Sequence, residues 1–105
     1  MTKIISTKWI GLAEVAVLND SDILSGDRYG FTNVVGLAKT KTEFRGRMKN
    51  KFSSMDLKLL RLEDVEPFAD RVKNYKVSKE IINAAKLLSE TNTIEFATFY
   101  NYTNK

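Results

Sequence analysis

The sequence predicts an α+β domain: a two-layer sandwich with a roughly four-stranded, mainly antiparallel sheet and two helices on one face, in the order β-β-α-β-α-β. Three observations lead there. An Ile-, Val- and Trp-rich run near the N-terminus is followed, after a turn-rich connection, by a second run of the same kind. A capping signature introduces apolar residues at helical spacing in the middle of the chain. The C-terminal segment, Thr93-Ile94-Glu95-Phe96-Ala97-Thr98-Phe99-Tyr100-Asn101-Tyr102, alternates around aromatics. Strands and helices in this mixed order pack as layers of an α+β fold. At 105 residues the chain is one domain, residues 1–105.

The first strand is expected over residues 3–18, with Glu14 the one charge in its second half and apolar side chains on both faces near its end. Residues 19–30 concentrate Asn, Asp, Ser and Gly and read as a loop, longer than the usual hairpin connection of about 2–5 residues. Residues 31–38 are the second strand, antiparallel to the first. Thr40-Lys41-Thr42-Glu43 fits the capping box, in which the Thr40 hydroxyl accepts from the Glu43 amide and the Glu43 carboxylate reaches back to the Thr40 amide. The helix then runs from about residue 41 to 54. Phe44, Met48, Phe52 and Met55 recur at its period and form a core-facing stripe.

Residues 56–62 read as a short strand, although a helical turn has the same apolar spacing. The acidic run Glu63-Asp64-Val65-Glu66 before Pro67 is expected to end it. Residues 68–77 are expected to be irregular or a single turn packed by Phe68 and Tyr75. Ser78 is the N-cap of a second helix over residues 79–89, with Ile81, Ile82, Ala85 and Leu88 buried. The last strand covers residues 93–102. Strict alternation puts Ile94, Phe96, Thr98, Tyr100 and Tyr102 on one face and Phe99 on the other, where an exposed Phe99 would mark a contact surface.

Composition removes several chemistries. The chain has no Cys, hence no disulfide or thiolate, and no His, hence no His-based triad or ordinary zinc site. Gly-rich phosphate loops, nucleophile elbows and metal-ligand spacings are absent from the sequence, so neither an enzyme nor a cofactor is expected. The longest nearly apolar stretch, Trp9 to Leu18, is too short for a membrane span. The N-terminus lacks the apolar core of a signal peptide, which gives a cytoplasmic location as the expectation.

The net charge of +4 is unevenly placed: the 39–51 segment alone carries +5 and the remainder −1. Lys41, Arg45, Arg47, Lys49 and Lys51 are the candidates for a phosphate-binding helix. They line both borders of the apolar stripe, which favours side chains snorkelling along it over a dedicated phosphate face. The acids form two clusters. Asp20, Asp22 and Asp27 sit with Tyr29 in the long loop, without the ligand series of a calcium loop, and suit turn formation. Glu63, Asp64 and Glu66 suit a solvated strand end or a docking patch for a basic partner. The run from Arg28 to Val34 approaches the aromatic motif of RNA-recognition domains, but its residue order is broken and no helix precedes it.

The early Trp9 strand, Tyr29-Gly30-Phe31-Thr32-Asn33-Val34-Val35, the 38–44 stretch, Leu62-Glu63-Asp64-Val65-Glu66 and the run from Phe96 to Tyr102 together resemble small immunity proteins of bacterial polymorphic-toxin and contact-dependent growth-inhibition systems. The resemblance spans residues 9–102. It implies a cytoplasmic protein that binds and neutralises the C-terminal domain of one cognate toxin, commonly a nuclease. Asp20, Asp22, Asp27, Tyr29, Glu63, Asp64 and Glu66 are then the expected toxin-binding residues, because carboxylates can stand in for substrate phosphates in a basic cleft. The net basic charge departs from the frequent pattern of acidic inhibitors facing basic nucleases. A small nucleic-acid-binding or phage-related accessory domain using the 39–51 helix is the alternative.

Overall fold

A computed structural model describes residues 6–18 and 28–102. The chain runs β1 (Thr7–Val17), β2 (Tyr29–Ala38), α1 (Lys41–Ser54), β3 (Leu57–Pro67), α2 (Phe68–Asn74), α3 (Lys79–Lys86), β4 (Ile94–Phe96) and β5 (Tyr100–Tyr102). The sheet is antiparallel throughout, in the order β3-β1-β2-β4, with β5 also paired to β2. This is the expected small α+β domain.

Helix α1 has the bounds that its capping signal and stripe imply. The Glu43 amide donates to the Thr40 hydroxyl at 3.1 Å. The return bond differs from the expected box: the Glu43 carboxylate accepts from the Lys39 amide, 3.1 Å away, one residue before Thr40. Phe44, Met48 and Phe52 are fully buried. They meet Ala13 and Val15 of β1, Val34 and Ala38 of β2, and Leu57, Leu62 and Val65 of β3. Trp9 closes one end, stacked on Phe44 with centroids 6.5 Å apart and donating its indole N–H to the Ala38 carbonyl.

Strand β3 continues through the acidic run instead of ending at it. Its core-packed apolar residues, Leu57, Leu59, Leu62 and Val65, do not alternate with period two. The pairing with β1 absorbs the mismatch through two irregularities, one between Glu14 and Val15, the other between Ile10 and Leu12. At each, β3 carries one extra residue, so the next apolar side chain returns to the α1 face. Asp64, with φ of 54°, supplies the left-handed backbone at the second bulge, a conformation that Asp tolerates better than most residues. Gly11 lies opposite this bulge. A Cβ there would sit 3.1 Å from Leu62 and 3.2 Å from Val65.

Residues 68–74 form a two-turn helix, α2, where an irregular segment or single turn was expected. Pro67 starts it, since its fixed φ suits a helix entrance. Helix α3 begins at the expected Ser78 cap, whose hydroxyl accepts from the Ile81 amide at 3.3 Å. Its buried side chains are Ala84 and Ala85, with Leu88 just beyond it and Ile81 partly buried. They pack on Ile10 and Val35. Both residues alternate with those that face α1, and they lie opposite each other in the β1–β2 register. The long helix therefore covers one sheet face, and α3 lies over the other face at the Ile10–Val35 end. The core clusters of α1 and α3 thus draw on alternate residues of β1 and β2. The apolar parity of β1 and β2 on both sides is the reason, and the two alanines allow the close approach.

The C-terminal strand is broken in two. Phe96 pairs with Val34 and Tyr100 with Phe31, so the chain spends one more residue than β2 between these pairs. Thr32 and Asn33 hold the break: the Ala97 amide donates to the Asn33 carbonyl at 2.9 Å, and the Thr32 hydroxyl donates to the Ala97 carbonyl at 2.9 Å. The extra residue changes the parity. Phe96 and Phe99 both pack against the core beside Phe52, at 5.1 and 6.5 Å, while Tyr100 turns to the opposite face. Of these two residues, the exposed aromatic is thus Tyr100 and not Phe99.

Candidate functional site

The α1 face of the sheet is filled. The opposite face is only part-covered, because α3 is short and α2 buries no residue fully. What remains open is built from alternate residues of three strands. β1 presents Leu12 and Glu14, β2 presents Phe31 and Asn33, and β3 presents Arg61, Glu63 and Glu66. Tyr100 of β5 joins them opposite Phe31.

At its centre Phe31 and Tyr100 stack with ring centroids 5.4 Å apart, 40% and 56% exposed. Phe31 borders a hollow of about 260 Å³ lined also by Leu12, Glu14, Arg61 and Glu63. Tyr100 borders a larger one of about 850 Å³ that reaches the α2–α3 link. The charged groups around the rings form ion pairs within and between elements. Arg61 bridges Glu14 at 3.3 Å and Glu63 at 3.2 Å. Arg71 of α2 binds the Glu66 carboxylate at 2.6 Å, donates to the Asp64 carbonyl at 2.9 Å and lies 5.8 Å from the Tyr75 ring centroid. These bonds lock α2 against the bulge of β3.

The sequence-predicted residues fall into three groups. Glu63, Glu66 and Tyr29 lie on strand positions of the open face by parity, and Asp64 is the bulge residue beside them. Glu63 and Glu66 are engaged by arginines, so they present ion pairs and not bare carboxylates. Asp20, Asp22 and Asp27 lie outside the described residues. The basic residues of α1 lie on the other side of the sheet. Arg45 donates to the Leu62 carbonyl at 3.2 Å, and Arg47 donates to the Leu37 carbonyl at 3.0 Å while bridging Glu43 at 3.2 Å. Each guanidinium thus clamps the helix to a different strand, the snorkelling arrangement the border positions imply. Lys41, Lys49 and Lys51 are exposed along the helix.

Sequence reasoning did not single out Leu12, Arg61, Arg71 or Tyr100 as site residues. Parity alone would have found Leu12 and Glu14 once β1 was paired. Tyr100 needed the one-residue shift between β4 and β5.

One carboxylate has a shifted pKa. Glu80, in the first turn of α3, accepts from the Thr98 hydroxyl at 2.6 Å and from the Thr98 amide at 3.2 Å. The hydroxyl bond first, then the amide bond, hold its carboxyl below the ordinary glutamate value. This ties α3 to the link between β4 and β5, next to Tyr100.

Among the described residues there is no group of three or more acidic, His or Cys side chains able to hold a metal ion. No helix among them is long and apolar enough to cross a membrane. No family model, curated protein or solved structure matches the chain.

Proposed function

We propose that this chain is a cytoplasmic immunity protein that binds the C-terminal domain of a cognate bacterial toxin, commonly a nuclease, and blocks it through the open sheet face. The observation that carries the reading is the exposed Phe31–Tyr100 stack on a sheet face flanked by ion pairs. Binding hot spots have this composition: a rigid aromatic anchor within a polar surround that excludes water. The charge distribution supports a basic partner. Around the rings the carboxylates of Glu14, Glu63, Asp64 and Glu66 outnumber the guanidiniums of Arg61 and Arg71, while the +5 segment sits on α1 beyond the opposite face. The whole-chain charge of +4 therefore misstates the sign of the docking surface.

The nucleic-acid alternative loses support from the same geometry, since Arg45 and Arg47 are held by backbone carbonyls instead of standing clear of the helix.

The test is protection. The product of the reading frame adjacent to this gene, as the toxin candidate, is expressed with the wild-type chain and with the Glu63→Ala, Asp64→Ala, Glu66→Ala triple variant, and survival is scored. Wild-type protection with weakened protection by a folded triple variant is the expected pattern. No protection by the wild-type chain would refute the immunity reading, and full protection by the triple variant would remove these acids from the interface.

A further inference from the structure

We infer that the cavity between the α2–α3 link and the open sheet face is a binding site for a planar, hydrogen-bonding aromatic molecule of nucleoside size that carries no negative charge. Its volume of about 850 Å³ is within the range of small-molecule sites, roughly 300–1,000 Å³. It exists because α3 covers the sheet only at its Ile10–Val35 end, so the chain from Tyr75 to Ser78 bridges over uncovered strand. Ile81, partly buried, gives it an apolar wall, while Ile10 and Val65 lie beneath its floor. Tyr75 and Tyr100, 64% and 56% exposed, line it as well. Rings with this much open surface offer stacking area to a flat ligand.

Two observations set the chemistry. Asn33 is half-buried on the cavity's sheet side, and its side-chain amide forms no hydrogen bond among the described residues. An amide both donates and accepts, so it matches the paired donor and acceptor on the edge of a nucleobase. Three of the ionic groups lining the cavity are already bonded within the chain: Arg71 to Glu66, and Glu80 to Thr98. The other two, Asp64 and Lys76, oppose each other in sign. Thr98 is neutral, so the Glu80 carboxylate keeps its charge and the lining carries more anions than cations, which disfavours a phosphorylated ligand relative to the nucleoside. This site does not depend on the immunity reading, and a failed toxin-binding experiment leaves it standing.

The experiment is an NMR titration of the full-length, isotope-labelled chain with adenosine as the probe and adenosine 5′-monophosphate as the charged comparison. Adenosine is expected to bind with a dissociation constant on the order of 0.1 mM, ordinary ligand efficiency for its size. The shifts should cluster at Asn33, Tyr75, Ile81 and Tyr100. Asn33→Leu should weaken binding by about tenfold, the loss of two ordinary hydrogen bonds, with the amide spectrum otherwise preserved. The monophosphate should bind no more tightly than the nucleoside. If Asn33→Leu disturbs the fold, Tyr75→Ala on the exposed rim serves in its place, with an expected loss of about tenfold. The proposal is overturned by no saturable shift at about 5 mM adenosine, fifty times the expected constant. It is equally overturned by shifts clustered elsewhere, by unchanged affinity in the folded variant, or by markedly tighter binding of the monophosphate.

Discussion

Replacing Phe52 with alanine tests the packing that places the candidate surface. Phe52 is fully buried, stacks on Phe96 with centroids 5.1 Å apart and meets Phe99 edge-on at 6.5 Å. It is the point at which α1 grips the β4–β5 edge, and that edge carries Tyr100. Truncating a buried Phe removes its transfer free energy and leaves a cavity, together about 3–5 kcal/mol. Roughly 0.5–1.5 kcal/mol of this belongs to each ring pair. With a urea m-value of about 1–2 kcal/mol/M, the midpoint should fall by about 1.5–5 M. Trp9, the only tryptophan, reports the transition because it lies against Phe44 in the same core. A double-mutant cycle with Phe96→Ala should return a coupling of about 0.5–1.5 kcal/mol. A loss below about 1 kcal/mol, far under the cost of truncating a buried ring, would mean that Phe52 does not bridge helix and edge.

Three further outcomes follow from the same geometry. A Cβ at Gly36 would stand 2.9 Å from Phe44, 3.1 Å from the Thr93 carbonyl and 3.2 Å from Met48, so Gly36→Ala should destabilise by about 1–3 kcal/mol in the same urea titration. Arg71→Ala should free α2, whose residues are nowhere fully buried, and hydrogen exchange should accelerate over residues 68–74 while β1 and β2 keep their protection. Glu80 has a folded pKa below its unfolded one, so its bond to Thr98 contributes stability above about pH 4.5 that is lost as pH falls through the folded value. Stability curves of wild type and Thr98→Val should therefore differ at neutral pH and converge in acid.

The parts of the fold that sequence made legible are those where one local rule decides. Thr40, Glu43 and the Phe44–Met48–Phe52 spacing define α1 without tertiary information, and Ser78 does the same for the start of α3. The illegible parts are those where one inserted residue changes parity. Leu57, Leu59, Leu62 and Val65 read ambiguously because the two bulges of β3 that reconcile them are set by pairing with β1. Phe99 and Tyr100 exchange faces because of one extra residue between two short strands. The side chosen by α3 is invisible locally, since Ile10 and Val35 are as apolar as Val15 and Val34, and only packing assigns each pair a helix. For the site, the acidic run was legible as charge, but its pairing with Arg61 and Arg71 required the strand register and the presence of α2.

Calorimetric titration of the purified toxin domain asks whether the proposed Phe31–Tyr100 anchor holds a protein partner. The wild-type chain should bind it with a nanomolar or lower dissociation constant, about −12 kcal/mol. If each ring is a hot spot of about 2 kcal/mol, Phe31→Ala with Tyr100→Ala should weaken binding by roughly a thousandfold. Both side chains are substantially exposed, so the double variant should keep the wild-type urea midpoint to within about 1 M. Undiminished nanomolar binding by the folded double variant would mean that the stack is not the anchor, and no binding by the wild-type chain would refute the immunity reading.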